Sequence, residues 1–155
     1  MFMEKHSCYK LITINKKATF NYFFIEKYIA GIVLLGTEIK SVRQSKVNIQ
    51  DSFCFFHNNE LFIKQMHISL YKFGNIYNHD EYRVRKLLLN RRELNKLFGR
   101  LDVGLTIVPT KLFIDEHNRA KLEIALSKGK KIYDKRRTIK ERDIKRQMNQ
   151  ELKYS

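Results

Sequence analysis

The run Arg83-Val84-Arg85-Lys86, the acid Glu38 followed by Lys40, Ser41 and Arg43, and the cluster Lys135-Arg136-Arg137 are the side chains best suited to chemistry in this chain. That chemistry is phosphate recognition. A guanidinium fork meets phosphate oxygens bidentately, so eleven arginines argue for a polyanionic partner in a way that abundant lysine alone does not. In an extended segment Arg83 and Arg85 point to one side and Lys86 to the other, which reads as a two-pronged phosphate clamp or, more plainly, as a solvated basic loop. Glu38 has two readings as well. A carboxylate accepts hydrogen bonds from the amino groups of guanine or cytosine, and it also stabilises the N-terminus of a helix. A metal-dependent nuclease built on Glu38, Asp51 and Asp80 is the enzymatic alternative, but no recognised ligand spacing links those acids. His57, His67, His79 and His117 fall near strand ends or turns, and Cys8 and Cys54 lack CxxC spacing. No metal, cofactor or disulfide is expected from either set.

At 155 residues with 43% hydrophobic content, the chain is long enough for one domain with a real core. Its formal net charge is +15, of which residues 128–155 hold +7 through eleven Lys and Arg against four Asp and Glu. The other +8 is spread over the body. A segment so charged and so poor in large apolar side chains is expected to be disordered in isolation, until a polyanion neutralises it. Within it, Thr138 and Glu141 form a capping box, Glu141 and Lys145 an i,i+4 pair, and Ile144, Met148 and Leu152 a narrow stripe, so a helix over 139–152 is latent. No apolar run approaches the roughly 20 residues of a membrane span, and a reduced cytoplasm fits the two isolated cysteines.

Residues 1–15 have no sustained period and read as a flexible leader, with order starting near Lys16. The aromatic and β-branched run 20–34 reads as a long first strand with a bend or bulge at Gly31. Thr37 is placed to N-cap a short helix through about Gln44. Segments 51–57 and 60–66 form a hairpin about Asn58-Asn59, whose residues tolerate positive φ, and 105–114 with 119–126 form another. Residues 67–86 read as a long loop. Asn90 caps a helix carrying Glu93, Leu94, Leu97 and Phe98. Five strands with two or three short helices predict a mainly β, OB-fold-like closed antiparallel barrel over 16–128 and a basic tail over 129–155.

Four motifs in order make the reading specific: AGIVLLGTEIKSVRQSKVNIQDSF from Ala30, MHIS from Met66, NHD with RVRKLLLN between Asn78 and Asn90, and GKKIYDKRRTIKER from Gly129. With them the chain resembles the bacterial SmpB (SsrA-binding protein) family from Lys16 to about Arg142. The resemblance implies a non-enzymatic factor of trans-translation, a monomer that binds the tRNA-like domain of transfer-messenger RNA one to one and enters stalled ribosomes. It places Glu38, Leu88 and Asn90 at the RNA surface, beside Lys40, Ser41 and Arg43 on the same short helix and Arg83, Arg85 and Lys86 in the extended segment, whose residue types and positions read as phosphate contacts. It also places the tail in the vacant mRNA channel, with Gly129, Lys130 and Lys131 as pivot and Asp134, Lys135 and Arg136 nearest the decoding centre. Phe20 stands where the family often has histidine, and Leu70 and Glu81 where it has proline. A ribosomal or initiation-type OB protein is the binding alternative, and it predicts association with every ribosome.

Overall fold

The computed structural model describes residues 10–74 and 78–154. Its first elements depart from expectation. Lys10–Ile14 is a strand, β1, and Lys16–Asn21 is a helix, α1, so the leader does not extend to Asn15 and Phe20 is helical rather than extended. Residues 1–9, Cys8 among them, lie outside the described residues. The physical reason is Asn15, whose side chain is fully buried. Its Oδ1 accepts from Ala18 N at 3.0 Å and caps α1, while Nδ2 donates to Ile49 O at 3.1 Å and Pro109 O at 2.8 Å. One side chain thus joins three distant segments. Asn15→Ala removes a cap and leaves two buried carbonyls short of a donor; an unfolding titration should read a loss of about 3 kcal/mol.

Tyr22–Ile32 forms β2, with its pairing irregularity at Phe24/Glu26 and not at Gly31. Gly31 lies across from Leu88, and a Cβ there would meet Leu88 Cβ at 3.4 Å, an ordinary van der Waals contact. Gly36–Arg43 is α2, Val47–Asn48 is β3, and Phe53–His57 and Glu60–Lys64 are β4 and β5, joined by Asn58 and Asn59 at φ 50° and 62°. His67–Ile68 is β6, Arg85–Leu88 is β7, and Arg91–Arg100 is α3, capped by Asn90 Oδ1 on Glu93 N at 2.8 Å. Leu105–Ile114 and Ala120–Gly129 form the last hairpin, β8 and β9.

All pairings are antiparallel, in the order β1-β8-β4-β5-β7-β2-β9, and β9 also pairs with β8, so the path of hydrogen bonding returns on itself. β3 and β6 make a small separate ladder. The fold is mainly β, with nine strands among the described residues where five were expected; the short ones carry too few residues for a visible alternation. Leu61, Ile63, Leu87, Ile107, Leu112, Leu122, Ile124 and Leu126 point inward from the strands, and α3 adds Leu94 and Leu97. Phe98 of α3 stays half exposed and meets Phe56 edge to face at 5.2 Å.

The tail expected to be disordered in isolation is a helix, α4, over Ile132–Tyr154, and it begins at Ile132 rather than Ile139. β9 runs on to Gly129, which pairs with Tyr22, so Gly129 belongs to the sheet. Lys130 N then bonds Asn21 O at 2.8 Å, and Lys130 Nζ lies 4.9 Å from the Phe23 ring centre and 3.1 Å from Thr138 Oγ1. Arg142 sits over the Phe20 ring at 5.9 Å. These contacts hold the first turns of α4 against α1 and explain its early start, while residues 143–150 of the helix are exposed. Ile144 and Met148 of the expected stripe are half exposed; the side chain of Leu152 lies outside the described residues.

Candidate nucleic-acid interface

α2 starts at Gly36 because the Glu38 carboxylate reaches back to Leu35 N at 2.8 Å. Thr37 is not the N-cap. Its hydroxyl lies 2.9 Å from His79 Nδ1, while His79 Nε2 donates to Ile68 O at 2.9 Å, which fixes Nδ1 as the acceptor of the Thr37 proton. The buried imidazole therefore bolts α2 to β6. Asn78 folds the loop back on itself through Tyr71 N and O at 3.3 and 2.8 Å, and Asp80 Oδ1 accepts from Tyr82 N at 3.0 Å. The Asn-His-Asp motif is a loop-fastening device on this geometry. Residues 75–77 of that loop lie outside the described residues.

Three of the residues expected at the RNA surface are buried. Glu38, Arg85 and Ser41 are each 0% exposed. Arg83 Nη2 donates to Glu38 Oε1 at 2.5 Å and Arg85 Nε to Oε2, so the two arginines converge on one internal carboxylate and form no outward clamp. Arg85 also donates to the carbonyls of Met66, Asp80 and Glu81 at 2.8, 3.4 and 3.3 Å, tying β7 to the loop before it. Burial alone would raise the Glu38 carboxyl, but hydrogen bonds from Arg83, Leu35 N and Arg85 outweigh it and hold the group below its ordinary value. Burial likewise pulls the Arg85 guanidinium down from its usual value, opposed by Glu38. Polar and ionic side chains are rarely fully buried, so local pattern placed these three outside; only the packing of α2 over β7 brings them in.

The remaining expected residues are accessible. Lys40 is exposed near the Tyr71 ring, Arg43 reaches Asn118 O at 3.3 Å, Lys86 pairs with Glu60 at 3.1 Å, and Asn90 is exposed beside its cap. Leu88 is 51% exposed because β7 alternates, with Arg85 and Leu87 inward and Lys86 and Leu88 outward. It lines an open cleft of about 320 Å³ with Gly31, Ile32, Ile39, Arg119 and Lys121. Arg119 and Lys121 had no local signal, because they come from the far hairpin. In the tail, Lys131 and Arg136 are exposed, while Asp134 accepts from Lys131 N at 3.4 Å within the first turn and Lys135 N bonds Lys131 O at 3.1 Å.

The acids of the nuclease alternative are not brought together. Glu38 is occupied by arginines, Asp51 bonds Lys17 at 2.5 Å, and Asp80 shapes a turn; no cluster of three metal-binding side chains occurs among the described residues. What the geometry defines is a basic, mainly β protein with an apolar cleft, a cationic rim and a long cationic helix. Residues 12–154 match the model of the SmpB protein family. The SsrA-binding protein of Cytophaga hutchinsonii is 56% identical over 135 residues, 86% of this chain and 88% of that one. That of Thermoanaerobacter pseudethanolicus is 51% identical over 145 residues, 93% and 92% of the two chains. A solved structure described as "tmRNA-SmpB: a journey to the center of the bacterial ribosome" is 41% identical with a TM-score of 0.66, covering 77% of this chain and 85% of that one. The chain belongs to the SmpB family.

Proposed function

We propose that this protein binds the tRNA-like domain of transfer-messenger RNA, delivers it to stalled ribosomes, and lays its basic helix in the vacant mRNA channel. The observation that carries the reading is the extent of the match. Relatives named SsrA-binding protein align over about nine-tenths of the chain, and the family model runs through the body and on to the end of α4. The closed path of strand pairing fits an OB-type barrel, here spanning β1 to β9, with residues beyond Gly129 as the ribosome-directed arm. The RNA face comprises Lys40, Arg43, Lys86, Leu88, Asn90 and the rim of the cleft, while Glu38, Ser41 and Arg85 support it from within. Lys130, Lys131, Asp134, Lys135 and Arg136 form the arm's first turn on the decoding side. The protein acts as a non-enzymatic, cytoplasmic monomer bound one to one to its RNA.

In this reading the cleft takes an unstacked base on Leu88 and Ile32 while Arg119 and Lys121 meet the flanking phosphates. Replacing Arg119 and Lys121 together by glutamine should weaken binding to the tRNA-like domain and lower the slope of log K against log salt by about 1.5. An unchanged slope removes the cleft from the interface.

A further inference from the structure

The outer face of the β4–β5 hairpin carries a row of aromatic rings that the cleft does not use. Phe55 and Phe62 stack across the strands with centroids 5.9 Å apart and planes at 27°; Phe53 flanks Phe55 at 6.5 Å and His57 flanks Phe62 at 6.3 Å. Phe53 is 39% exposed and His57 is exposed. These rings all lie on one side of the sheet, because register partners share a face and Phe53 pairs with Lys64, Phe55 with Phe62, and His57 with Glu60. The next strand continues the same face. Phe62 pairs with Lys86 of β7, and Leu88, two residues on, pairs with Gly31, which pairs in turn with Lys121. An unbroken path thus leads from the aromatic row to the Leu88 cleft, about 19 Å across five strands at ordinary spacing.

We infer that this row is a second stacking strip for single-stranded RNA, continuous with the Leu88 cleft, so that unpaired nucleotides leaving the cleft cross Lys86 and lay their bases on Phe62, Phe55 and Phe53. This rests on the RNA-binding reading above. Charge selects the occupant. Lys64 and Lys121 border the path, and Lys86 and Glu60, which also face it, offset each other as an ion pair at 3.1 Å, so the path's net charge is positive. An apolar peptide has no use for those cations, whereas an RNA strand uses rings and cations alike, bases against the one and phosphates against the other. A duplex is a poor fit, since its bases present no open faces to the rings.

The test uses the full chain and the variant Phe55→Leu/Phe62→Leu, which retains apolar bulk on the strands but removes the π faces. Binding to the tRNA-like domain and to an unrelated RNA hairpin is measured across a salt series, and a thiouridine-substituted tRNA-like domain is photocrosslinked to the unaltered protein. The strip predicts an affinity loss of about tenfold or more for the tRNA-like domain, an unchanged salt slope because no cation was removed, and crosslinks on the peptides holding Phe55 or Phe62. Unchanged affinity in the variant overturns the strip and leaves the face to another class of partner, such as a protein. Absence of those crosslinks overturns it too, even if the variant has folded poorly. If the unaltered protein shows no preference for the tRNA-like domain, it is the underlying functional reading that fails.

Discussion

Replacing Glu38 with glutamine should cost about 3–5 kcal/mol of folding stability, the largest loss expected from any single isosteric change in this protein. Both oxygens of the carboxylate are engaged by guanidinium groups, and Arg85 is fully buried. Glutamine keeps the shape but withdraws the charge, leaving a buried cation whose other partners are backbone carbonyls. Urea titration at neutral pH reads the loss directly, and a change below about 1 kcal/mol would mean that the pair only offsets its own desolvation. The same group predicts an acid response. Because folding lowers the Glu38 pKa from its ordinary 4.5, its contribution is fully present above that value and is lost as pH falls through the lower folded value. The glutamine variant should therefore show a shallower loss of stability on acidification. RNA affinity should fall as well, since α2, β7 and the intervening loop all take their positions from this carboxylate.

Ending the chain after Lys131 should abolish peptide tagging on stalled ribosomes and leave affinity for the tRNA-like domain within a few-fold. The cut spares β9, whose last pair is Gly129 with Tyr22. α4 meets the body through few side chains, chiefly Thr138 on Lys130 and Arg142 on Phe20, so the sheet and its cleft keep their packing without it. Beyond those contacts α4 displays Arg136, Lys140, Lys145 and Arg146 to solvent, with Ile144 and Met148 half exposed. A helix of that composition gains most from a phosphate-lined channel. A tenfold or greater fall in affinity for the tRNA-like domain, about 1.4 kcal/mol, would contradict this division of labour. So would tagging that persists in the shortened chain.

The parts of the fold legible from sequence are those decided by neighbours in the chain. Asn58-Asn59 adopts the positive φ of a tight turn, Asn90 caps α3, and the long runs of β8 and β9 pair about the turn at Asn118. What escaped was decided across long separations. α1 exists because Asn15 finds carbonyls 34 and 94 residues away, and nothing near Asn15 signals them. Arg85 reads as a surface cation by type, yet it pairs with an acid 47 residues earlier. The motifs that carry the family resemblance were fully legible. Their roles were less so, for Thr37, Asn78 and His79 fasten the loop whose outer residues face solvent. Phe20 illustrates both limits: its departure from the family pattern was visible at once, but its contact with Arg142 needed the fold.

Selective recognition of a tRNA-like fold is the central claim, and competition binding at near-physiological salt tests it most directly. The protein is bound to labelled tRNA-like domain of transfer-messenger RNA and challenged with an unlabelled RNA hairpin of equal length. The account predicts that the hairpin displaces the ligand only at a concentration at least about a hundred times that of unlabelled tRNA-like domain, a difference of roughly 2.8 kcal/mol. Equal competition by the two RNAs would mean that net charge drives the association, and would contradict selective recognition.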